Sequence, residues 1–334
     1  MAQIDIIMPL YNKARTVARA IRSIQGQTMT DWRLIVVDDG STDAGPEIVR
    51  RLADPRTTLF SQPNQGPGAA RNAGLHRATA ELVSFLDADD EYYPWYLKNI
   101  LRAFMDTEVN FATNFYYEWP SQTDLMVVFT NLGLQPGKYR IEGGEDPRLV
   151  VRMISATSIY SVLRKSILSK YGDFFEGKKC VCGEDKTLFM RILFNEVFQI
   201  IAPSAVRYHR EDSSLTSVRK IPPVAPYLQD PDLFLSYCPT EKLVLGKKVL
   251  NWMALHHATA LAALGCRIEA EEILKNYPEA RQFEQEFSCF EKYQNNLRII
   301  NQARAVLGPL KERIFNRISL RLGLRPKAPP QPWE

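Results

Sequence analysis

The sequence predicts an α/β protein built on an open, doubly wound sheet flanked by helices. Two observations carry that prediction. Over the first hundred residues, short β-branched runs alternate with segments of about ten residues whose apolar positions repeat at helical spacing. Acidic clusters, Asp38-Asp39 and Asp87-Ala88-Asp89-Asp90, follow two of those runs directly. Open parallel sheets bind ligands beyond the carboxyl ends of their strands, so the clusters stand where a site is expected.

Each element has its own reason. Ile4 to Met8 reads as the first strand and ends at Pro9. Ala14 to Ile24 reads as a helix, with Val17, Ala20, Ile21 and Ile24 on one face and Asn12 as its cap. Leu34 to Val37 is continuously apolar, the pattern of a strand buried on both faces. Asp43 caps a second helix with Pro46 in its first turn. Thr57 to Phe60 is a short strand, Gly68 to Ala78 a helix rich in small residues, Leu82 to Leu86 a strand and Tyr96 to Met105 a helix. Beyond residue 110 the pattern loosens. Phe111 to Trp119 reads as an aromatic-rich strand, Gln135 to Gly144 as a loop, Thr187 to Phe194 as a helix and Val197 to Ile201 as a late strand. Five prolines from Pro222 to Pro239 read as a linker or an extended wrap. The expected division is a body over 1–217, a proline-rich linker over 218–240, a helical region over 241–325 and a disordered tail over 326–334.

Composition excludes several classes. The chain has 334 residues, 45% of them hydrophobic, too many for a wholly disordered chain. Its 42 Lys and Arg against 38 Asp and Glu leave +4, too weak a balance to argue for nucleic acid. The start, Met-Ala-Gln-Ile-Asp, lacks a basic region followed by a long apolar one, so no secretory signal is expected. Five cysteines, an odd number in a long chain, read as free thiols in a reducing cytosol. Cys180 and Cys182 have no further ligands at zinc spacing and read as ordinary thiols. The longest uncharged stretch, Val249 to Cys266, contains Asn251, His256, His257 and Thr259, and reads as a buried helix rather than a membrane span. Adjacent helical residues point about 100° apart, so His256 and His257 do not make a joint metal site.

The two acidic clusters end parallel strands and converge. Crowded carboxylates repel, and a divalent cation offsets that repulsion. An Asp-x-Asp set of hard oxygen donors suits Mn²⁺ or Mg²⁺, which take further ligands from phosphate oxygens. The alternative is a set of loop caps and a solvated turn. No G-x-G-x-x-G follows the first strand and no G-x-x-x-x-G-K-[ST] occurs, so phosphate is not held as in dehydrogenases or P-loop proteins.

Five segments occur in order: Pro9-Leu10-Tyr11-Asn12; Val37-Asp38-Asp39-Gly40-Ser41-Thr42-Asp43; Asn64-Gln65-Gly66 with Ala69-Ala70-Arg71-Asn72-Ala73-Gly74; Phe85-Leu86-Asp87-Ala88-Asp89-Asp90; and Gly183-Glu184-Asp185. Over about residues 3 to 217 this resembles the family 2 glycosyltransferases of GT-A fold, which have a Rossmann-like open mixed sheet. The resemblance implies a nucleotide-sugar-binding half over 1–95 and an acceptor half over 96–217. It implies that Pro9, Tyr11, Asn12, Asp38 and Asp39 hold the nucleotide, with Arg71 closing that pocket. It implies that Asp87 and Ala88 meet the donor, that Asp89 holds the metal and that Asp185 is the catalytic base, with Glu184 as alternative or as neighbour holding the acceptor. The family's usual Arg-x-His before Ser-Leu-Ser/Thr is shifted here to Tyr208-His209-Arg210-Glu211-Asp212-Ser213-Ser214-Leu215-Thr216. His209 is therefore a candidate metal or diphosphate contact, against a structural role.

The implied activity is metal-dependent, inverting transfer from a nucleotide-diphosphate sugar, a UDP-sugar first, to a saccharide or lipid-linked acceptor in envelope or exopolysaccharide assembly. The alternatives are a nucleotidyltransferase and a non-catalytic sugar-nucleotide-binding subunit. Tyr116, Tyr117, Trp119 and Tyr139 are candidates to stack on an acceptor sugar or, equally, to fill the core. Residues 298–327 hold eight basic residues against one acid, a net +7. Leu307, Leu310, Ile314 and Ile318 share a helical face there, so the segment is a candidate to lie on an anionic membrane. The expected location is the cytoplasm, peripheral to the inner face of the plasma membrane. No nucleic-acid partner is expected.

Overall fold

A computed structural model describes residues 3–177, 180, 182–212, 223–263 and 266–283. The predicted alternation is present. It runs β1 (Ile4–Leu10), α1 (Val17–Gln25), β2 (Trp32–Asp38), α2 (Gly45–Leu52), β3 (Thr57–Ser61), α3 (Pro67–Arg77) and β4 (Leu82–Phe85). There follow β5 (Glu91–Tyr92), α4 (Tyr96–Leu101), β6 (Val109–Trp119), β7 (Thr123–Asp124), α5 (Leu125–Asn131), β8 (Gly137–Tyr139), α6 (Pro147–Ala156) and β9 (Ser161–Arg164). The last elements are α7 (Glu184–Leu193), β10 (Val197–His209), α8 (Leu243–Ala263) and α9 (Arg267–Asn276).

The strands form one mixed sheet in the order β3-β2-β1-β4-β9-β6-β10-β5. β3, β2, β1 and β4 are mutually parallel. β9 is antiparallel to both β4 and β6, and β10 is parallel to β6. Two reversals restore direction, so β6 and β10 end on the same sheet edge as β1, β2 and β4. That edge gathers the loops after five strands and positions the site.

β1 is buried at every position but Pro9, including Asp5. Asp5 lies opposite Arg33 of β2, whose Nε and NH2 donate at 2.9 and 2.7 Å, while the Thr79 and Ala80 amides donate at 2.6 and 2.9 Å. A buried carboxylate is tolerated because every direction around it supplies a donor. α3 presses on β1: a Cβ on Gly74 would lie 2.5 Å from Ile7 Cγ2, so only glycine permits this approach.

Several expectations need correction. Asn12 does not cap α1; Thr16 precedes that helix, and the Asn12 side chain instead accepts from Thr42. Asp43 does receive the Gly45 amide, at 2.8 Å, just ahead of α2. The late strand is much longer than expected, 13 residues, because it continues past an irregularity at Ile201/Val206 to pair with β5 and the end of β6. The loop Gln135 to Gly144 contributes β8. The proline-rich segment is no free linker, since Ala225, Tyr227, Leu228 and Phe234 are buried in the core and it includes two one-turn helices. The helical region is present through α8, α9 and a short 3-10 segment to Phe283. Among the described residues, no helix is long and apolar enough to cross a membrane. The basic segment 298–327, the tail 326–334 and Ser213 to Thr216 lie outside the described residues.

Candidate active site

The loop after β1 is locked to the loop after β2. The Asn12 amide donates to Ser41 Oγ at 3.1 Å, and Asn12 Oδ1 accepts from the Thr42 amide at 2.8 Å. Asn12 has φ of +52°, a conformation asparagine tolerates better than most residues. Asp38 Oδ1 accepts the Ser41 amide at 2.9 Å. Asp39 is buried and receives Gln62 Nε2 and the Gln65 amide at 2.9 Å and the Gly66 amide at 2.8 Å. Three of its roughly four lone-pair positions are therefore used in folding the loop before α3, leaving one for a ligand N–H. Pro9 is half-buried at the end of β1, and Tyr11 is 48% exposed beside it.

α3 distributes the hydrogen bonds of Arg71 and Asn72 among four partners. Arg71 is buried; its NH1 donates to Glu184 Oε1 at 2.7 Å and its NH2 to Asp87 Oδ1 at 2.8 Å. Burial opposes the charge of Arg71, but Asp87 and then Glu184 outweigh it and hold the guanidinium more firmly protonated than usual. Asn72 Nδ2 donates to Phe174 O at 2.9 Å and Glu176 Oε1 at 2.6 Å. Arg71 was expected to close the nucleotide pocket; its observed partners are the Asp87 loop and the start of α7. Nothing in the sequence pairs residues 71 and 184, which are brought together only by the sheet.

Asp87, Asp89 and Asp90 each present a carboxylate oxygen within 4.8 Å of the others. Ala88 is buried between them. Burial, then the Asp87 charge, raises Asp89 above the usual carboxylate range, against the pull of Lys13. Lys13 Nζ lies 2.5 Å from Asp89 Oδ2 and 2.8 Å from Asp212 O. Asp90 is raised strongly, by burial and then by Asp89 and Asp87. It accepts Tyr160 OH at 2.5 Å and the His209 amide at 2.8 Å. The cluster fits a hard divalent cation: it is oxygen-only, anionic and already draws an ammonium group onto Asp89. Lys13 was missed in the sequence. Its only signal was a cation one residue past Asn12.

His209 falls in a second cluster, with Glu211 and Asp212. Its Nε2 lies 2.6 Å from Glu91 Oε1 and its Nδ1 3.3 Å from Glu211 Oε1. Lys13 and Arg19 bridge the two clusters, Arg19 NH2 donating to Asp89 O at 2.5 Å and to Asp212 Oδ2 at 2.8 Å. His209 and Asp89 are thus neighbours through two cations, and His209 is not in the group formed by Asp87, Asp89 and Asp90.

Glu184 and Asp185 open α7, where the helix dipole favours negative charge. Glu184 is buried and tied to Arg71; burial, then Asp185, raises its carboxyl. Asp185 is half-buried, with Oδ1 accepting the Lys186 amide at 2.8 Å. Asp185 is the more accessible carboxylate of the pair. Of the aromatic candidates, Trp119 lies at the site edge, with Arg207 5.4 Å from its ring centroid. Tyr116 packs edge-on to Tyr160 and Tyr208. Tyr139 belongs at the opposite edge, stacked on Phe198 near the start of β10, and is packing rather than site.

A mixed α/β sheet carrying linked loops, an acidic cluster and a helix-borne carboxylate at one edge has the layout of an open-sheet α/β protein with its site beyond the strand ends. The model of Glycosyl transferase family 2 matches residues 5–171, and the chain belongs to that family. It is 42% identical over 110 residues to an uncharacterized glycosyltransferase of Nostoc sp., covering 32% of this chain and 34% of that one. It is 36% identical over 102 residues to the putative glycosyltransferase EpsH of Bacillus subtilis, covering 30% of each. The chain thus matches about a third of the length of these curated relatives. Among solved structures, S. aureus TarS 1-349 in complex with UDP-GlcNAc superposes with a TM-score of 0.63 at 17% identity, over 85% of this chain and 92% of that one. The mannosyltransferase PcManGT from Pyrobaculum calidifontis, in complex with GDP-Man and Mn²⁺, gives 0.50 at 19%, over 84% and 83%. These likenesses establish the GT-A fold.

Proposed function

We propose that the chain transfers a sugar from a nucleotide-diphosphate sugar, a UDP-sugar first, to a hydroxyl of a saccharide or lipid-linked acceptor, inverting the anomeric carbon. The single observation that carries this is the Arg71 bridge, which ties the Asp87 loop to Glu184 and so sets Asp185 beside the donor loop. Nucleotide sugars bound to TarS and PcManGT support the donor class. Tyr11 offers an exposed ring to a base, and Asp39 one remaining acceptor position to a base N–H.

Asp185 takes the proton of the acceptor hydroxyl as its oxygen bonds to the anomeric carbon. The bond from that carbon to the diphosphate oxygen breaks on the far side, and the electron pair leaves with the nucleoside diphosphate. Asp89, with Asp87 and Asp90 behind it, would hold Mn²⁺ or Mg²⁺; such an ion, when bound, offsets the charge of the departing diphosphate. Glu184 holds Arg71 rather than a proton in flight. The Gly-rich loop a nucleotidyltransferase would want after β1 is absent from Leu10-Tyr11-Asn12-Lys13. Envelope or exopolysaccharide assembly suits a lipid-linked acceptor, and the net +7 of residues 298–327 supports a station on an anionic membrane.

The test is release of nucleoside diphosphate from a panel of UDP- and GDP-sugars. Asp185→Asn is expected to abolish release while UDP still raises the melting temperature. Loss in Glu184→Gln with full activity in Asp185→Asn would reassign the base.

A further inference from the structure

The segment between Val224 and Lys242, most of it read from its prolines as a linker or an extended wrap, packs against the start and the last turn of α7. At the start of the helix, Gly183 has φ of +80°, and a Cβ there would lie 2.8 Å from Ala225 Cβ and 3.4 Å from both Pro226 Cδ and Tyr227 Cε1. In the last turn, Arg191 Nε donates to Leu233 O at 2.6 Å, and its guanidinium sits 4.3 Å from the Tyr237 ring centroid. At the far end, Phe194 meets Phe234 edge-on with centroids 4.8 Å apart. There too Asn195 Nδ2 donates to Tyr237 O and Lys242 Nζ to Phe194 O, both at 2.9 Å. The segment is itself held from behind. Tyr277 OH donates to Leu228 O at 3.1 Å and reaches Tyr227 O at 3.4 Å.

This arrangement is more than core filling. A helix buried for its own sake needs apolar contacts, yet here three polar side chains of α7, its following loop and the segment's end are spent on backbone carbonyls. The contact at Gly183 is tightest one residue before Glu184 and two before Asp185. Burial, then the Cys182 thiol and Asp185, push the Tyr227 phenol up, so a neutral ring faces that turn. The segment also lies beyond residues 5–171, the part matched by the family model.

We propose that residues 225–242 form a strap that positions the catalytic carboxylate, with Tyr227 and the glycine at 183 setting the first turn of α7. Arg71 fixes that turn from the donor side through Glu184; the strap fixes it from the other. Tyr227 and Tyr277 are positioning residues and touch no substrate. The role assigned to Asp185 comes from the proposed transferase reading, on which the kinetic part of this inference rests.

The test uses the full chain with Tyr227→Ala, Gly183→Ala and the milder Tyr277→Phe, which removes one hydroxyl and no volume. In the first two variants kcat for nucleoside-diphosphate release is expected to fall about 10- to 100-fold with donor KM within about twofold. Tyr277→Phe should lose about threefold. Equal losses of kcat and UDP binding, or wild-type kcat in folded variants, overturn the strap. Hydrogen exchange at Thr187 to Phe189 needs no turnover. It should quicken about tenfold in Tyr277→Phe while β1 stays protected. Unchanged exchange there overturns the strap even if no sugar nucleotide is a substrate, and a wild type inert toward every sugar nucleotide overturns only the transferase reading.

Discussion

Replacing Arg71 by methionine isolates the bridge between the two halves of the site. Its side chain is 5% exposed and that of its partner Glu184 8%, so water cannot replace the lost bond at that end. The Asp87 end is 32% exposed, and solvent screens it, so it adds under about 1 kcal/mol. Breaking a buried pair from one side leaves an unpaired carboxylate and costs about 3–5 kcal/mol. Methionine keeps part of the packing against Phe174, so about 3 kcal/mol is expected. At about 2–4 °C per kcal/mol that lowers the melting temperature by about 6–12 °C.

The pH dependence has a definite sign. Burial already raises the Glu184 carboxyl, and Arg71 is the group that opposes the rise. Without Arg71 the folded-state pKa climbs further. A carboxyl with a raised folded pKa penalises the fold above that pKa and not below the unfolded value. The deficit of Arg71→Met relative to wild type should therefore shrink as pH falls from 8 toward 5. Urea unfolding of both proteins across that range measures it. A second cycle adds Glu184→Gln, which should recover most of the loss. A deficit below about 1 kcal/mol, or no recovery with Glu184→Gln, would refute the buried-bridge account.

Other outcomes follow from the same geometry. Asp89→Asn should weaken Mn²⁺ binding by at least about tenfold, read by calorimetry, since it removes one of three clustered carboxylates. Lys13→Met should tighten Mn²⁺ binding in the same assay, because Lys13 Nζ lies 2.5 Å from Asp89 Oδ2 and competes for that oxygen. Deleting residues from Gly308 onward should release the protein from anionic liposomes in a flotation assay; equal binding of both forms removes the membrane proposal.

The legibility of the site in the sequence was uneven. Asp38, Asp39, Asp87 and Asp89 stood out because strand ends and acidic residues are both local signals. Glu184 and Asp185 were singled out only through the family resemblance, by the segment Gly183-Glu184-Asp185. The partners of these groups were not legible. Asp39 was expected to face a nucleotide, and the three loop donors that also hold it could not be read from the sequence. Asn12 was read as a helix cap and instead pins two loops together. Prolines from Pro222 to Pro239 suggested a linker or an extended wrap, since proline breaks periodicity whether a segment is loose or tightly packed. Only burial distinguishes the two.

By itself, then, the sequence determined the alternation of strands and helices and the chemical types gathered after the strands. Both depend on residues a few positions apart, through backbone hydrogen bonding and the period of apolar side chains. The tertiary structure decided which charges meet. Arg71 and Glu184 are separated by 113 positions, and Lys13 and Asp89 by 76. Lys13 and Asp89 meet because they follow β1 and β4, which pair side by side, and Arg71 and Glu184 meet because the fold sets α3 against the first turn of α7. A buried ion pair is selected by the position of two backbones in space, and local sequence carries no record of that distance.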